Sequence, residues 1–233
     1  MSGQPDGPHQ LAEVLTKHRD SSGVGLLIRH ARRERIADAT AAAAFSAALT
    51  DQGREQARAF GAAVSPSSPV RLHYSPVPRC EDTAQLVAEG VVQSGGSATV
   101  GGPRRILGAS FVKDERRLIA TFATLGLRGF MRAWFNGELN PEVTEDPKQA
   151  GDALLGALLH SSEEAHPAAV EINVSHDVVV LALLGLAWDV ADEAFPWPGF
   201  LDGVLYRRSE TGAILWYRHE ERELRGTFTP PPR

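Results

Sequence analysis

The sequence predicts an α/β fold: a three-layer α/β/α sandwich with a mainly parallel central sheet. Three observations predict it. Short apolar, β-branched runs alternate with segments of helical periodicity along most of the chain. One of the runs, Val24 to Ile28, is apolar throughout, as a strand covered on both faces by helices is. Three of the runs stop abruptly at polar residues, and the carboxyl ends of parallel strands are where such sheets carry their sites.

The elements follow in order. Residues 1–21 read as a flexible polar tail with one short helix around Leu11 to Lys17. Val24 to Ile28 is a buried strand that ends in charge at Arg29-His30. Thr50 caps an amphipathic helix on which Ala57, Phe60, Gly61 and Val64 share a face. Val70 to Tyr74 is a second strand, broken by Ser75-Pro76. The helix after it buries Cys80, Ala84, Val87 and Val91. Ser94 to Pro103 is rich in glycine and serine and reads as a loop, with a short strand at Arg104 to Leu107. Leu118 to Phe135 and Ala150 to Leu159 are helices around a turn-rich stretch, Asn136 to Lys148. Ala169 to Val174 is a strand that runs into Ser175-His176-Asp177. Val178 to Ala187 is apolar all round, as a buried helix is. Gly203 to Arg208 and Ala213 to Arg218 form a hairpin. Residues 22–226 thus form a single domain, with 109–148 as a helical insertion over the site and 227–233 as a disordered, proline-rich tail.

Composition narrows the function. A net charge of -5 argues against nucleic acid, whose backbone demands a basic face. It leaves room for a small anion held by local arginines. The lone Cys80 forms no internal disulfide and no multi-thiolate metal site. The opening MSGQPDGPHQ has no apolar secretion-signal core. The longest apolar run is too short to span a bilayer. The expectation is a cytoplasmic protein with neither a nucleic-acid nor a membrane partner.

Three strand ends deliver Arg29-His30, Ser75 with Arg79, and Ser175-His176-Asp177 to one edge. Two histidines and two arginines there make an anion site, because each guanidinium is a planar fork for phosphate oxygens. Arg79 stands in the first turn of its helix, where the dipole favours an anion. Ser175 is a candidate cap for the helix that follows it. With no recognisable metal-binding carboxylate cluster, imidazole is the available nucleophile. Neighbouring arginines disfavour its protonated form. A covalent phosphohistidine then divides one displacement into two, with arginines and His176 stabilising the equatorial oxygens. No cofactor and no metal is called for. The leaving alcohol needs a proton, and Asp177 and Asp114 are both candidates.

These blocks resemble the histidine phosphatase superfamily, which includes the phosphoglycerate mutases and the histidine acid phosphatases. Leu27-Ile28-Arg29-His30-Ala31 is similar to its first motif, with Ala31 where glycine is usual. Leu49 to Ala57 is similar to the helix start that follows. Ser75 to Ala84 resembles its second arginine motif, and Val174-Ser175-His176-Asp177 its second histidine motif. The four blocks stand in the family's order. The resemblance implies a phosphoglycerate mutase-like fold, with His30 as the phosphorylated nucleophile and Arg29, Arg79 and His176 as phosphate ligands. Arg33 and Asp177 match the acid phosphatase branch, where the third arginine binds phosphate and the aspartate donates the proton. Arg33 also belongs to a charged run, Arg32 to Arg35, that reads equally as a solvated face. Cys80 reads as core; the aromatics Phe111, Phe130, Trp134 and Phe135 either line a substrate pocket or, as their helical spacing favours, belong to the core. The expected activity is a metal-independent phosphatase acting on a small phosphorylated compound. A phosphomutase, or a non-catalytic binder of phosphorylated ligands, is the alternative.

Overall fold

The computed structural model describes residues 7–18, 23–35, 45–64, 68–164 and 169–230. The elements are α1 (Gly7–His18), β1 (Gly25–Arg29), α2 (Asp51–Ala63), β2 (Val70–Tyr74), α3 (Pro78–Gln93) and β3 (Ala98–Pro103). A 3-10 turn (Arg105–Leu107) follows, then α4 (Glu115–Phe135), α5 (Pro147–Glu164), β4 (Val170–Ser175) and α6 (Asp177–Leu184). Three strands complete the chain: β5 (Gly203–Arg208), β6 (Gly212–Tyr217) and β7 (Glu220–Arg225).

The strands form one seven-stranded sheet in the order β3-β2-β4-β1-β5-β6-β7. From β3 to β1 all neighbours are parallel; from β1 through β7 they are antiparallel. The parallel half puts the ends of β1, β2 and β4 at one level, since Arg29 pairs with Ser175 and Tyr74 with Val174.

Strand alternation sorts the core into two layers. Leu26, Ile28, Leu72, Ile172 and Val174 face a cluster shared with α1, α2 and α3. Leu27, Val204, Tyr206 and Leu215 face the other, shared with α4, α5 and α6. The expected three-layer sandwich is the architecture observed.

The helix starts bear on the site. Thr50 caps α2 by accepting the Gly53 N–H at 3.0 Å. Its own N–H donates to Arg32 O at 3.0 Å. A Cβ on Gly53 would lie 2.0 Å from that same carbonyl. Glycine is therefore what lets α2 abut the chain two residues past His30. A Cβ on Gly61 would meet Val87 O at 2.1 Å, and one on Gly90 would meet Arg58 O at 2.0 Å. The two helices owe their close approach to this reciprocal pair.

Several expectations need correction. The expected flexible tail contains α1, whose Leu11 and Leu15 are buried in the first core cluster; residues 1–6 and 19–21 lie outside the described residues. The expected loop at 94–103 contains β3, an edge strand that pairs with β2 alone. An edge tolerates its Gly101, Gly102 and Pro103. Arg105–Leu107 is a 3-10 turn where a strand was expected. β7 (EERELR) was not expected at all. Its dense charge is one way an exposed edge avoids pairing with other chains. The expected disordered tail begins at 227, yet Phe228 packs on the second cluster and Thr229 O lies 2.2 Å from where a Gly156 Cβ would be; residues 231–233 lie outside the described residues. Within 109–148, α4 is broken at Gly126 (φ 65°, ψ 172°), and only its second segment buries aromatic side chains in the core.

Candidate active site

β1, β2 and β4 carry their end residues to one edge. The next backbone bonds keep them there: His30 N donates to Ser175 O and Ser75 N to Val174 O, each at 2.9 Å. His30 is 3% exposed. Its Nδ1 lies 2.8 Å from Ala31 O. A carbonyl can only accept, so Nδ1 bears the hydrogen and Nε2 bears the lone pair. That lone pair accepts from Arg79 Nε at 3.0 Å. Burial, then Arg79, lower the His30 pKa to about 2, so the imidazole is neutral.

Arg79 stands between the two histidines, its Nη2 lying 3.3 Å from His176 Nδ1. An arginine only donates, so His176 Nε2 carries the hydrogen and donates to Ser75 Oγ at 2.9 Å. The two rings meet edge-on with centroids 5.5 Å apart. His176 is also neutral, its pKa lowered to about 4 by burial and then by Arg79.

Arg29 pairs with Asp177 Oδ2 at 3.0 Å and donates to Pro198 O at 2.8 Å. Its Nε is buried with no partner among the described residues. Burial lowers the pKa of Arg29 and of Arg79, but both remain cations. Asp177 Oδ2 also accepts from Trp197 Nε1 at 3.1 Å. Asp177 lies in the first turn of α6.

The other named residues fall as follows. Arg33 is half-buried and donates to Glu34 O; its charge opposes protonation of His176, which puts it beside the cluster without a bond into it. Asp114 caps α4, accepting from the N–H groups of Arg116 and Arg117 at 3.0 Å and pairing with Arg117. None of these bonds reaches the histidine cluster. Ser175 does not cap α6: its Oγ donates to Leu107 O at 2.6 Å, and His176 holds the cap position with no side-chain bond. Cys80 is core, as expected, its thiol pushed up to about 12 by burial. Ala31 is fully buried, and its N–H donates to Thr83 Oγ1 at 3.1 Å. It is not among the described residues with positive φ, so this position does not require glycine.

Three contributors escaped the sequence reading. Phe200 stacks under the Arg29 guanidinium at 4.4 Å and meets the His30 ring at 5.8 Å. Trp197 orients Asp177. Thr83 steadies the chain after His30; it sits inside the second arginine block, where its one-turn spacing from Arg79 was a readable signal.

Among the described residues, no group of three or more His, Cys, Asp or Glu side chains converges as a metal-ligand set, and no helix is long and apolar enough to cross a membrane.

Fold and site together define a three-layer α/β sandwich with an arginine–histidine cluster at the carboxyl edge of its sheet. Residues 26–96 match the family model described as histidine phosphatase superfamily (branch 1), and the chain resembles that superfamily as its motifs indicated. The matched segment holds Arg29, His30, Arg33 and Arg79; Asp177 lies outside it. Among solved structures, the chain is similar to a phosphoserine phosphatase mutant (H9A) from Entamoeba histolytica in complex with phosphoserine. That likeness has 16% identity over 84% of this chain and 96% of the other, with a TM-score of 0.54. It is also similar to the mycobacterial glucosyl-3-phosphoglycerate phosphatase in complex with VO3, at 19% identity over 89% of this chain and 99% of the other, TM-score 0.50. At such identities the likeness shows the fold. No curated protein sequence matches the chain.

Proposed function

We propose that the protein is a metal-independent phosphatase that hydrolyses a small phosphomonoester through a phosphohistidine on His30. The observation that carries this reading is the state of His30. Its Nδ1–H is tied to Ala31 O, so the Nε2 lone pair points at Arg79, the group best placed to hold a phosphoryl oxygen.

The substrate phosphoryl group enters between Arg79, Arg29 and His176, replacing the bonds these make with one another. Arg33 adds positive charge at the rim. Nε2 attacks phosphorus in line; the N–P bond forms and the ester P–O bond breaks. The leaving oxygen takes a proton from Asp177, which the phosphate charge favours holding one. Asp177 is preferred to Asp114 because it shares Arg29 with the cluster. Water then attacks the phosphohistidine. The P–N bond breaks, its electrons return to Nε2, and the water proton passes to Asp177. The arginines stabilise the spreading equatorial charge in both steps.

The test is hydrolysis of para-nitrophenyl phosphate and a panel of sugar and nucleotide phosphates with chelator present, beside His30→Ala. Chelator-resistant phosphate release that disappears in the variant is expected. Tight binding of phosphorylated ligands with no turnover would replace this reading with that of a binder. Return of the phosphoryl group to the substrate would make the protein a mutase.

A further inference from the structure

A cavity of about 520 Å³ opens beside the candidate active site. Its walls come from α1, α2, the 197–202 segment and the turn at 218–219. Two walls belong to the site itself. Phe200 meets His30 and Arg29, and Trp197 is hydrogen-bonded to Asp177, the proposed proton donor. A group in the cavity therefore touches the side chains that flank both the phosphoryl position and the position of the leaving oxygen.

The lining indicates what fits. Phe60, Phe200 and Trp197 offer aromatic surface, and Ala59 and Ala63 leave room beside them. Asp202 is already engaged with Arg218 at 3.4 Å, and His219 with Gln10 at 3.2 Å. Arg32 differs. Its guanidinium lies 5.5 Å over the Phe200 ring, and no carboxylate pairs with it among the described residues. A volume in the range of ligand pockets, walls that mix aromatic and polar side chains, and one guanidinium with no carboxylate partner among the described residues suit a flat organic anion.

We propose that this cavity seats the leaving group of the substrate, and that this group is ring-bearing and carries a second anionic substituent held by Arg32. The proposal rests on the phosphatase reading above. It makes α1 part of the specificity machinery, since Pro8, His9 and Gln10 form one wall.

The test compares kcat/KM for 4-carboxyphenyl phosphate, phenyl phosphate and ethyl phosphate, using the full chain and its variants Arg32→Gln, Arg32→Lys and Ala59→Trp. The wild type is expected to prefer the carboxylated ester over phenyl phosphate by about tenfold or more, one good charge-assisted bond being worth that much. Arg32→Gln should remove the preference and Arg32→Lys should restore part of it. Ala59→Trp should lower turnover of both aryl esters relative to ethyl phosphate. His30-dependent hydrolysis with equal rates for both aryl esters, unmoved by the variants, overturns the seat and leaves the phosphatase reading intact. Free benzoate that changes ethyl phosphate turnover through Arg32 without competing with it also overturns the seat, since the occupant is then a separate ligand. Should no ester turn over, calorimetry with 4-carboxyphenyl phosphate decides: weaker binding to both Arg32→Gln and Ala59→Trp supports the seat, and unchanged binding refutes it.

Discussion

Two histidines in this molecule, the buried His30 and the half-buried His73, are held in the same way and differ in their surroundings. His30 has its Nδ1 on a backbone carbonyl, and its Nε2 accepts from Arg79. His73 on β2 has its Nδ1 3.4 Å from Gly102 O, and its Nε2 accepts from Arg104 at 2.8 Å. Burial and the neighbouring arginine lower both pKa values. Around His73, however, Arg104 is matched by Glu171, a fully buried carboxylate that also accepts from Ser161 and Asn173. Around His30, Arg29 and Arg79 outnumber Asp177, and a second neutral imidazole, His176, joins them. An arginine beside a histidine is therefore not enough for a phosphoryl site. Uncompensated positive charge and a second imidazole at a strand end distinguish one cluster from the other.

The largest effect that sharpens this comparison is on stability. Glu171→Ala leaves Arg104 with no buried carboxylate and should cost about 3–5 kcal/mol in urea unfolding. A loss below about 1 kcal/mol would show that the His73 network is not the balanced pair described. Arg79→Ala should do the opposite. It should lower kcat/KM by about 10²–10³, with stability unchanged or raised because a half-buried cation is gone. Destabilisation equal to that at Glu171 would erase the distinction.

Acid probes the His30 cluster in a second way. The unfolded chain binds a proton on each histidine near pH 6.5, whereas folded His176 waits until about 4 and folded His30 until about 2. More protons are then bound unfolded than folded, so stability falls with acidification from about 6.5 downward. Each of these histidines adds about 1.4 kcal/mol per pH unit to that slope, His176 down to about 4 and His30 below it. His30→Asn should remove one proton's share in unfolding measured from pH 6.5 to 4; an unchanged slope would mean that His30 is protonated in the folded protein. The smallest effect concerns the two aspartates. Asp114→Asn should cost no more than about 1 kcal/mol, as a weakened helix cap, with rates kept within about twofold. Asp177→Asn should slow an alkyl phosphate far more than para-nitrophenyl phosphate, whose leaving group needs no proton. The reverse pattern would return the proton-donor role to Asp114.

Much of this was legible in the chain because its signals are local. β1 reads as a continuous apolar run, and β2 and β4 keep apolar residues at alternate positions, so their ends expose Arg29-His30, Ser75 and His176-Asp177 by contrast. Edge strands lack that signal: β3 ends in Gly101-Gly102-Pro103 and β7 is charged at all but Leu224, so neither reads as a strand. The cap at Thr50 was readable and the cap at Asp114 was not, because an aspartate before a helix looks the same whether it serves the backbone or a substrate. Trp197 and Phe200 enter the site from a segment without periodicity, and only the fold brings them beside Asp177 and His30. The partners of Arg104 and of Arg32 likewise depend on contacts distant in sequence. Charge balance, the property that separates the two histidine clusters, is thus the one least visible in the sequence.

The most direct test of the proposed role of His30 is to quench the protein with denaturant at alkaline pH during turnover of a phosphomonoester and to locate the phosphoryl group by mass spectrometry. The proposal predicts phosphate on His30, absent from His30→Ala and undiminished in His73→Asn. Steady hydrolysis with no phosphorylated His30, or with the group on another residue, would contradict it.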